Sequence, residues 1–442
     1  MNRKAKVISF VMLFLIGLKN PANAQDTLKI SIKELFNLVE TNSTQLKLSK
    51  LAINESEAKT SDLKSSRLPT LDLSVSAGYL ANAGILGLES GLPDGWYDIP
   101  HFSNSFALQA AVLLYGGGKL NTGIKMSEIQ QEISRLNYVK SSQDVKFLLV
   151  GYYLDLYTLL QQRGVYISNI EQSKLLRDKI QNRLKAGLVL KSDYVRNDLL
   201  VANYELALLK LDNRIKVLNN RLIETLSLPE GTIIIPDKRE TEFIEVDTAS
   251  LEELQHQALE NHPSNKISKF NIELAEKNKT LIKANRLPSV ALYATNNADR
   301  PFVYDLPPID IYANIFTAGI KVTYNIANLY TNKKKLNVAE IQLNEAKTAE
   351  KLIQEHTRKD IYAGYVHYKE AIDQMEAVEK EYKLAEENYK RVLNSYNEQI
   401  SLITDLMDAS NNRISASLQI EQAKTKITFN YYQLLKSTGN LQ

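Results

Sequence analysis

Residues 113–121 read LLYGGGKLN, three glycines and a lysine between an apolar run and a long helical stretch. A phosphate-cradling loop looks like this, because glycine amides can wrap an anion and a lysine can pair with it. The pattern G-x-x-x-x-G-K-[ST] fails at both ends, however. Leu113 stands five residues before Gly118, and Leu120 follows Lys119. Gly116, Gly117 and Gly118 are expected instead to turn the chain from a strand into a helix. A second pair with chemical potential is Asp405 and Asp408, three apart at a helix start and so on one face. Taken alone they read as carboxylates complementing the helix dipole. The five histidines are His101, His256, His262, His356 and His367. None has a metal-ligand spacing with another, and His256 and His262, six apart, fall on different faces of a helix. No nucleophile elbow is present. No catalytic residue, resident metal or cofactor is expected.

The N-terminus reads as an export signal. Arg3, Lys4 and Lys6 precede an apolar core from Val7 to Leu18, and Ala22-Asn23-Ala24 is a small-residue cleavage site. Residues 1–24 are thus expected to be removed, leaving Gln25 first. The apolar stretch is short of the roughly 20 residues a membrane-spanning helix needs. The chain has no cysteine, which excludes a disulfide framework and a lipid anchor on an N-terminal cysteine. A formal net charge of +3 over 442 residues gives no nucleic-acid footprint.

The rest of the chain is a duplicated unit. LKSSRLP at 63–69 recurs as IKANRLP at 282–288, an offset of 219 residues. Farther on the offset is 212: Glu128-Ile129-Gln130 matches Glu340-Ile341-Gln342, Tyr153 matches Tyr365, and Asp193 matches Asp405. The first repeat is expected over 25–228, an equatorial connection over 229–250, and the second repeat over 251–442. Each copy begins with a helical segment, 28–67 or 247–286, ended by Pro69 or Pro288. The period then changes to two. Strands are expected at about 70–81 and 105–115, and at about 289–297 and 316–327, joined by loops at 82–104 and 298–314. Long proline-free helices follow, 119–186 and 333–398, each about 100 Å at 1.5 Å per residue. The second carries a heptad, Ile361, Tyr368, Met375, Tyr382, Tyr389 and Tyr396, the sign of left-handed coiling against a partner. The partner is 402–436, so each copy closes in a helical hairpin, 119–228 or 333–437.

Strands of about 9–11 residues suit a tilted membrane crossing. One face is apolar while the other carries Asp72, Ser74 and Lys321, the alternation expected between lipid and water. An unpaired sheet edge in lipid costs several kcal/mol per group, and four strands are too few to close a barrel. The chain must therefore pool strands with copies of itself. Three copies would give twelve; the sequence does not choose among two, three and four.

In this order and duplication the sequence resembles the TolC family of outer-membrane efflux channels. The marks are Arg67-Leu68-Pro69 and Tyr115-Gly116-Gly117-Gly118-Lys119 around the first hairpin of strands. Arg183 to Leu188 mark the first helical tip, and Tyr396 to Asp408 the second. The resemblance implies a mostly α fold with a membrane β-barrel: a homotrimer whose twelve pooled strands stand above a helical periplasmic tunnel. It implies the outer membrane of a Gram-negative bacterium as location and a passive role in efflux or type I secretion. Partners would be a periplasmic adaptor (a membrane fusion protein) and an inner-membrane transporter of RND, ABC or MFS type. Asp405 and Asp408 align with the family's aspartates at the periplasmic aperture, where rings of carboxylates favour cations and would bind a blocking divalent ion. Tyr396 aligns with a tyrosine that helps hold the aperture shut. Ser401 stands where the family's best-known channel has an arginine. Ala186, Gly187 and Leu188, and Gln399, Ile400 and Ser401, align with the adaptor-docking turns; Gln399 replaces the usual glycine. The rival reading is a non-channel periplasmic scaffold or adaptor of coiled-coil type, but adaptors of that kind usually have one hairpin and soluble β-domains.

Overall fold

The computed structural model describes residues 27–85, 95–237, 250–304 and 308–441. The expected signal peptide lies outside the described residues. In chain order the elements are β1 (Thr27–Ile30), α1 (Ile32–Asn42), α2 (Thr44–Ser65), β2 (Thr70–Tyr79), β3 (Ala83–Ile85), β4 (Gly95–Tyr97), β5 (Phe102–Tyr115), α3 (Lys119–Lys185) and α4 (Lys191–Leu226). There follow β6 (Ile233–Pro236), α5 (Leu251–Asn261), α6 (Pro263–Ala284), β7 (Ser289–Arg300), β8 (Ala313–Thr323), α7 (Asn328–Asn397) and α8 (Ile403–Ser437). No described helix is long and apolar enough to cross a membrane.

The chain divides into two compact units, each containing pieces of both sequence repeats. One takes residues up to 48, 139–262 and 356 onward; the other takes 49–138 and 263–355. The second unit holds a four-stranded antiparallel sheet in the order β2-β5-β7-β8. Its register sorts the side chains by face, because successive residues of a strand point to opposite sides. One set of cross-strand rows is Leu71–Ala110–Ala294–Ala318, Leu73–Leu108–Asn296–Phe316 and Val75–Phe106–Ala298–Asn314. The rows between them are Asp72–Gln109–Thr295–Thr317 and Ser76–Ser105–Asp299–Ala313. One face is therefore largely apolar and the other largely polar, and the Ser105 hydroxyl donates to Asp299 on the polar one. Leu71, Leu73, Val75, Phe316, Ile320 and Val322 are all exposed on the apolar face. β2 and β8 are the unpaired edges.

Below the sheet, the helices of this unit meet through polar contacts. Thr60 and Ser127 share a hydrogen bond of 2.8 Å and Lys64 pairs with Glu128 at 2.8 Å, while Lys279 pairs with Glu340. Exposed pairs of this kind contribute about 0–1 kcal/mol each.

The first unit is built on apolar seams. The heptad residues Ile361, Tyr368 and Tyr396 are buried, and so are Leu406, Ala409, Ala416, Ile427 and Leu434 on α8. They meet in small clusters, such as Leu254, Ala258, Ile361 and Leu434, each fully buried large side chain contributing about 1.5–3 kcal/mol.

Several expected boundaries are corrected. Residues 28–67 are not one helix: β1 precedes α1, and the chain breaks at Ser43 before α2. The start of α1 is set by a capping box. Glu34 N–H donates to Ser31 Oγ at 3.2 Å, and Ser31 N–H donates to Glu34 Oε2 at 2.8 Å. The helical stretch 247–286 likewise splits into α5 and α6 at His262, because Pro263 restrains the residue before it. Between the repeats, the described part of the expected connection, 229–237, holds a strand. β6 pairs in parallel with β1, and Tyr153 holds the pair by donating to Ile30 O and accepting from Asp237 N–H, each at 2.9 Å. β8 ends at Thr323, so Tyr324 and Ile326 leave the strand, and α7 begins at Asn328 instead of 333. The expected loop 82–104 contains the β3–β4 ribbon, and the second loop is clasped by Arg300 on Asp310 at 2.7 and 3.0 Å.

Candidate functional site

The two helical tips have the same backbone design. At the first, Gly187 takes φ +73°, Leu188 N–H donates to Arg183 O at 2.9 Å, and Gly187 N–H donates to Leu184 O at 3.0 Å. At the second, Gln399 takes φ +64°, Ile400 N–H donates to Ser395 O at 2.8 Å, and Gln399 N–H donates to Tyr396 O at 3.1 Å. Both are Schellman-type ends. The glutamine keeps the glycine geometry at a cost of about 1–2 kcal/mol for an L residue in that region. The following helices also start alike. Asp193 accepts from Leu190 N–H at 3.4 Å and Asp405 from Leu402 N–H at 3.1 Å.

The two expected aperture carboxylates therefore differ. Asp405 ties the start of α8, whereas Asp408 is exposed and makes no hydrogen bond or ion pair among the described residues. Tyr396 is 6 % exposed and packs with Ile180, Ile403 and Leu406. Its hydroxyl meets no hydrogen-bond partner among the described residues, and burial raises its pKa. The Arg183 guanidinium lies 5.8 Å from the Tyr396 ring centroid and donates to Asn397 O at 3.1 Å, which links the first tip to the second. Ser401 is half-buried, its N–H donating to Ser395 O at 3.3 Å. Ala186, Leu188 and Ile400 are exposed.

A polar brace behind the tips was not read from the sequence. Arg413 on α8 lies 3.8 Å over the Tyr389 ring and 3.9 Å from Glu386, both on α7. It also donates to Asn169 and, at 2.9 Å, to Gln172 on α3. Beside it the Tyr204 hydroxyl of α4 donates to Asn411 Oδ1 at 2.9 Å. The repeat offset contains the signal: Arg413 corresponds to Val201, a buried apolar residue in the first copy. An arginine at a position of the seam where the other copy keeps valine must find partners there.

The glycine turn has its own geometry. Gly117 and Gly118 take φ +67° and +80° between β5 and α3. A Cβ on Gly117 would stand 2.9 Å from Ala284 O and 3.0 Å from Leu287 Cβ, so that position needs glycine for close approach as well as for φ. In the second copy the junction uses asparagine. Asn328 Nδ2 donates to Asn285 O at 3.0 Å and Asn332 Nδ2 to Ile282 O at 2.7 Å, closing the C-terminal end of α6. Among the described residues no cluster of three or more His, Asp or Glu is arranged to hold a metal ion.

Residues 254–440 match the family model of outer membrane efflux proteins. The chain has the fold of several solved outer-membrane channels. The outer-membrane channel OprN superposes with a TM-score of 0.78 at 16% identity, covering 92% of this chain and 90% of that one. The CmeC outer membrane channel of Campylobacter jejuni gives 0.74 at 15%, covering 92% and 85%. The MtrE outer membrane channel of Neisseria gonorrhoeae, solved in its open state, gives 0.72 at 16%, covering 93% and 89%. No curated protein matches the chain.

Proposed function

We propose that this chain is the outer-membrane exit channel of an efflux or type I secretion system, a passive conduit that works as a homotrimer. The observation that carries the reading is the sheet: four strands with two unpaired edges and an exposed, largely apolar face. In lipid such edges must be paired, and twelve strands pooled from three copies would close them. The polar face would then line a water-filled lumen. The likeness in fold to outer-membrane channels, one of them solved in an open state, supports the same reading.

On this reading the chain is exported by a signal cleaved after Ala24, carries no lipid, and extends from the outer membrane into the periplasm. Its tips at 186–188 and 399–401 meet a periplasmic adaptor, and the adaptor couples the channel to an inner-membrane transporter that supplies the energy. Asp405 and Asp408, with Tyr396 packed behind them, form the periplasmic aperture; three copies would set two rings of three carboxylates around it, a place for a blocking divalent cation. The test is fractionation followed by planar-bilayer recording. A trimer in detergent-extracted outer membrane that conducts ions is the expected result; a soluble periplasmic monomer would refute it.

A further inference from the structure

The two tips share a backbone and an apolar pair, and differ in charge. Under the 212-residue offset Leu188 and Leu190 correspond to Ile400 and Leu402. All four are exposed, at 61, 70, 74 and 69 %. Around the first pair stand Lys179, Lys185, Lys191 and Arg196, all exposed and in no ion pair among the described residues. The acids nearby are engaged: Asp178 and Asp198 lie 3.5 and 3.6 Å from Arg177, and Asp193 caps α4. In the second copy the position of Lys185 is Asn397, that of Lys191 is Ile403, and that of Arg196 is Asp408. Ala186 corresponds to Glu398, exposed and unpaired among the described residues. The cations on that side are engaged, Lys390 with Glu386 at 3.3 Å and Arg391 with Glu387 at 2.5 Å.

A turn needs neither exposed leucines nor a free-charge set that is basic at one tip and acidic at the other. Apolar anchors rimmed by one sign of charge are what a specific protein contact uses, the anchors for affinity and the rim for choice of partner. We propose that the first tip docks an acidic protein surface, one that seats Leu188 and Leu190 and sets carboxylates against Lys185, Lys191 and Arg196. The second tip rejects that same surface through Glu398 and Asp408. The inference rests on the tips being the adaptor contact, and it assigns that partner a polarity: acidic at the first tip and not at the second. An anionic membrane surface is disfavoured as the occupant. The second tip, tied to the first by Arg183 and Asn397, would bring its own free acids to that surface.

The experiment places a photo-crosslinking benzoylphenylalanine at Leu188 or Ile400 of the full-length chain in its outer-membrane host. Adducts are identified by mass spectrometry. The expected adduct at 188 is a protein segment of net negative charge. Combining Lys185→Glu, Lys191→Glu and Arg196→Glu should lower its yield at least about tenfold, with less than a twofold change at 400, since like charges set against each other suppress docking. The neutral set Lys185→Gln, Lys191→Gln and Arg196→Gln should give an intermediate loss, and it serves alone if the reversed set does not assemble. A lipid adduct, a basic segment, no adduct at 188, or a yield indifferent to both sets would overturn the proposal. Bilayer recordings of the same preparations separate the two readings. A conducting trimer with the wrong occupant at 188 refutes only the polarity, whereas a non-conducting wild-type chain refutes the channel.

Discussion

At the residue scale, the pair proposed for the aperture splits into a carboxylate with a structural task and one without. Asp405 accepts from Leu402 N–H, while Asp408 has no partner among the described residues. Asp408→Ala is therefore expected to raise single-channel conductance or weaken divalent-cation block with the thermal unfolding temperature unchanged. Asp405→Ala should also cost about 0.3–1 kcal/mol of stability, the scale of a carboxylate at a helix N-terminus. Bilayer recording with and without divalent cation, beside thermal unfolding in detergent, distinguishes them. The two positive-φ turns allow a second comparison. Gln399→Gly should stabilise the protein by up to about 1 kcal/mol, because it removes a side chain from a left-handed backbone. Gly117→Ala should destabilise it by about 1–3 kcal/mol, since strain in φ is joined by the clash with Ala284 O.

At the scale of elements, His262 closes α5 among ionisable neighbours from several segments. Burial, and next the charge of Lys140, lower its pKa below the ordinary histidine value, opposed by Asp360 and Asp144, with Lys436 a smaller lowering influence. A depressed histidine pKa means that the unfolded chain takes up the proton first as pH falls. Stability should therefore be fully present above about pH 6.5 and decline as pH drops below it toward the folded-state value. Melting temperatures from pH 7.5 to 5 should show this decline, with a shallower slope in His262→Gln; equal slopes would remove His262 as the cause. The α7 seam was legible as a strict heptad, since a 3.5-residue period survives in any sequence long enough to repeat it. The β1–β6 pair was not legible. Four residues carry too little periodicity, and their partners lie about two hundred positions away in the chain. The break at His262 lay within reach of the sequence, because Pro263 restrains the residue before it, but the helical reading of 247–286 ran through it.

At the scale of the whole molecule, the sheet makes the strongest demand. Its register places Ile320 on the apolar face and Thr317 on the polar one. On the proposed channel reading the apolar face meets lipid, so Ile320→Lys should impair assembly into the outer membrane, since a lysine on such a face costs about 2–4 kcal/mol near the bilayer midplane. Thr317→Lys should assemble normally and shift ion selectivity instead. Outer-membrane fractionation and reversal potentials read the two outcomes; equal behaviour of the variants would deny the assignment of faces.

The sequence by itself determined the duplication, the alternation in the strands, the proline-ended helices and the heptad, because each is a local period or a local stereochemical constraint. It also excluded a P-loop at Gly116–Gly118. Only the tertiary structure decided what those glycines are for: Gly117 lies against the end of α6, a segment more than 160 residues away. Only the structure separated Asp405 from Asp408, showed Gln399 keeping a glycine's turn, and gathered Asn169, Gln172, Glu386 and Tyr389 around Arg413. These are contacts between residues distant in the chain, and no period along the sequence encodes which distant side chain a buried polar group will meet.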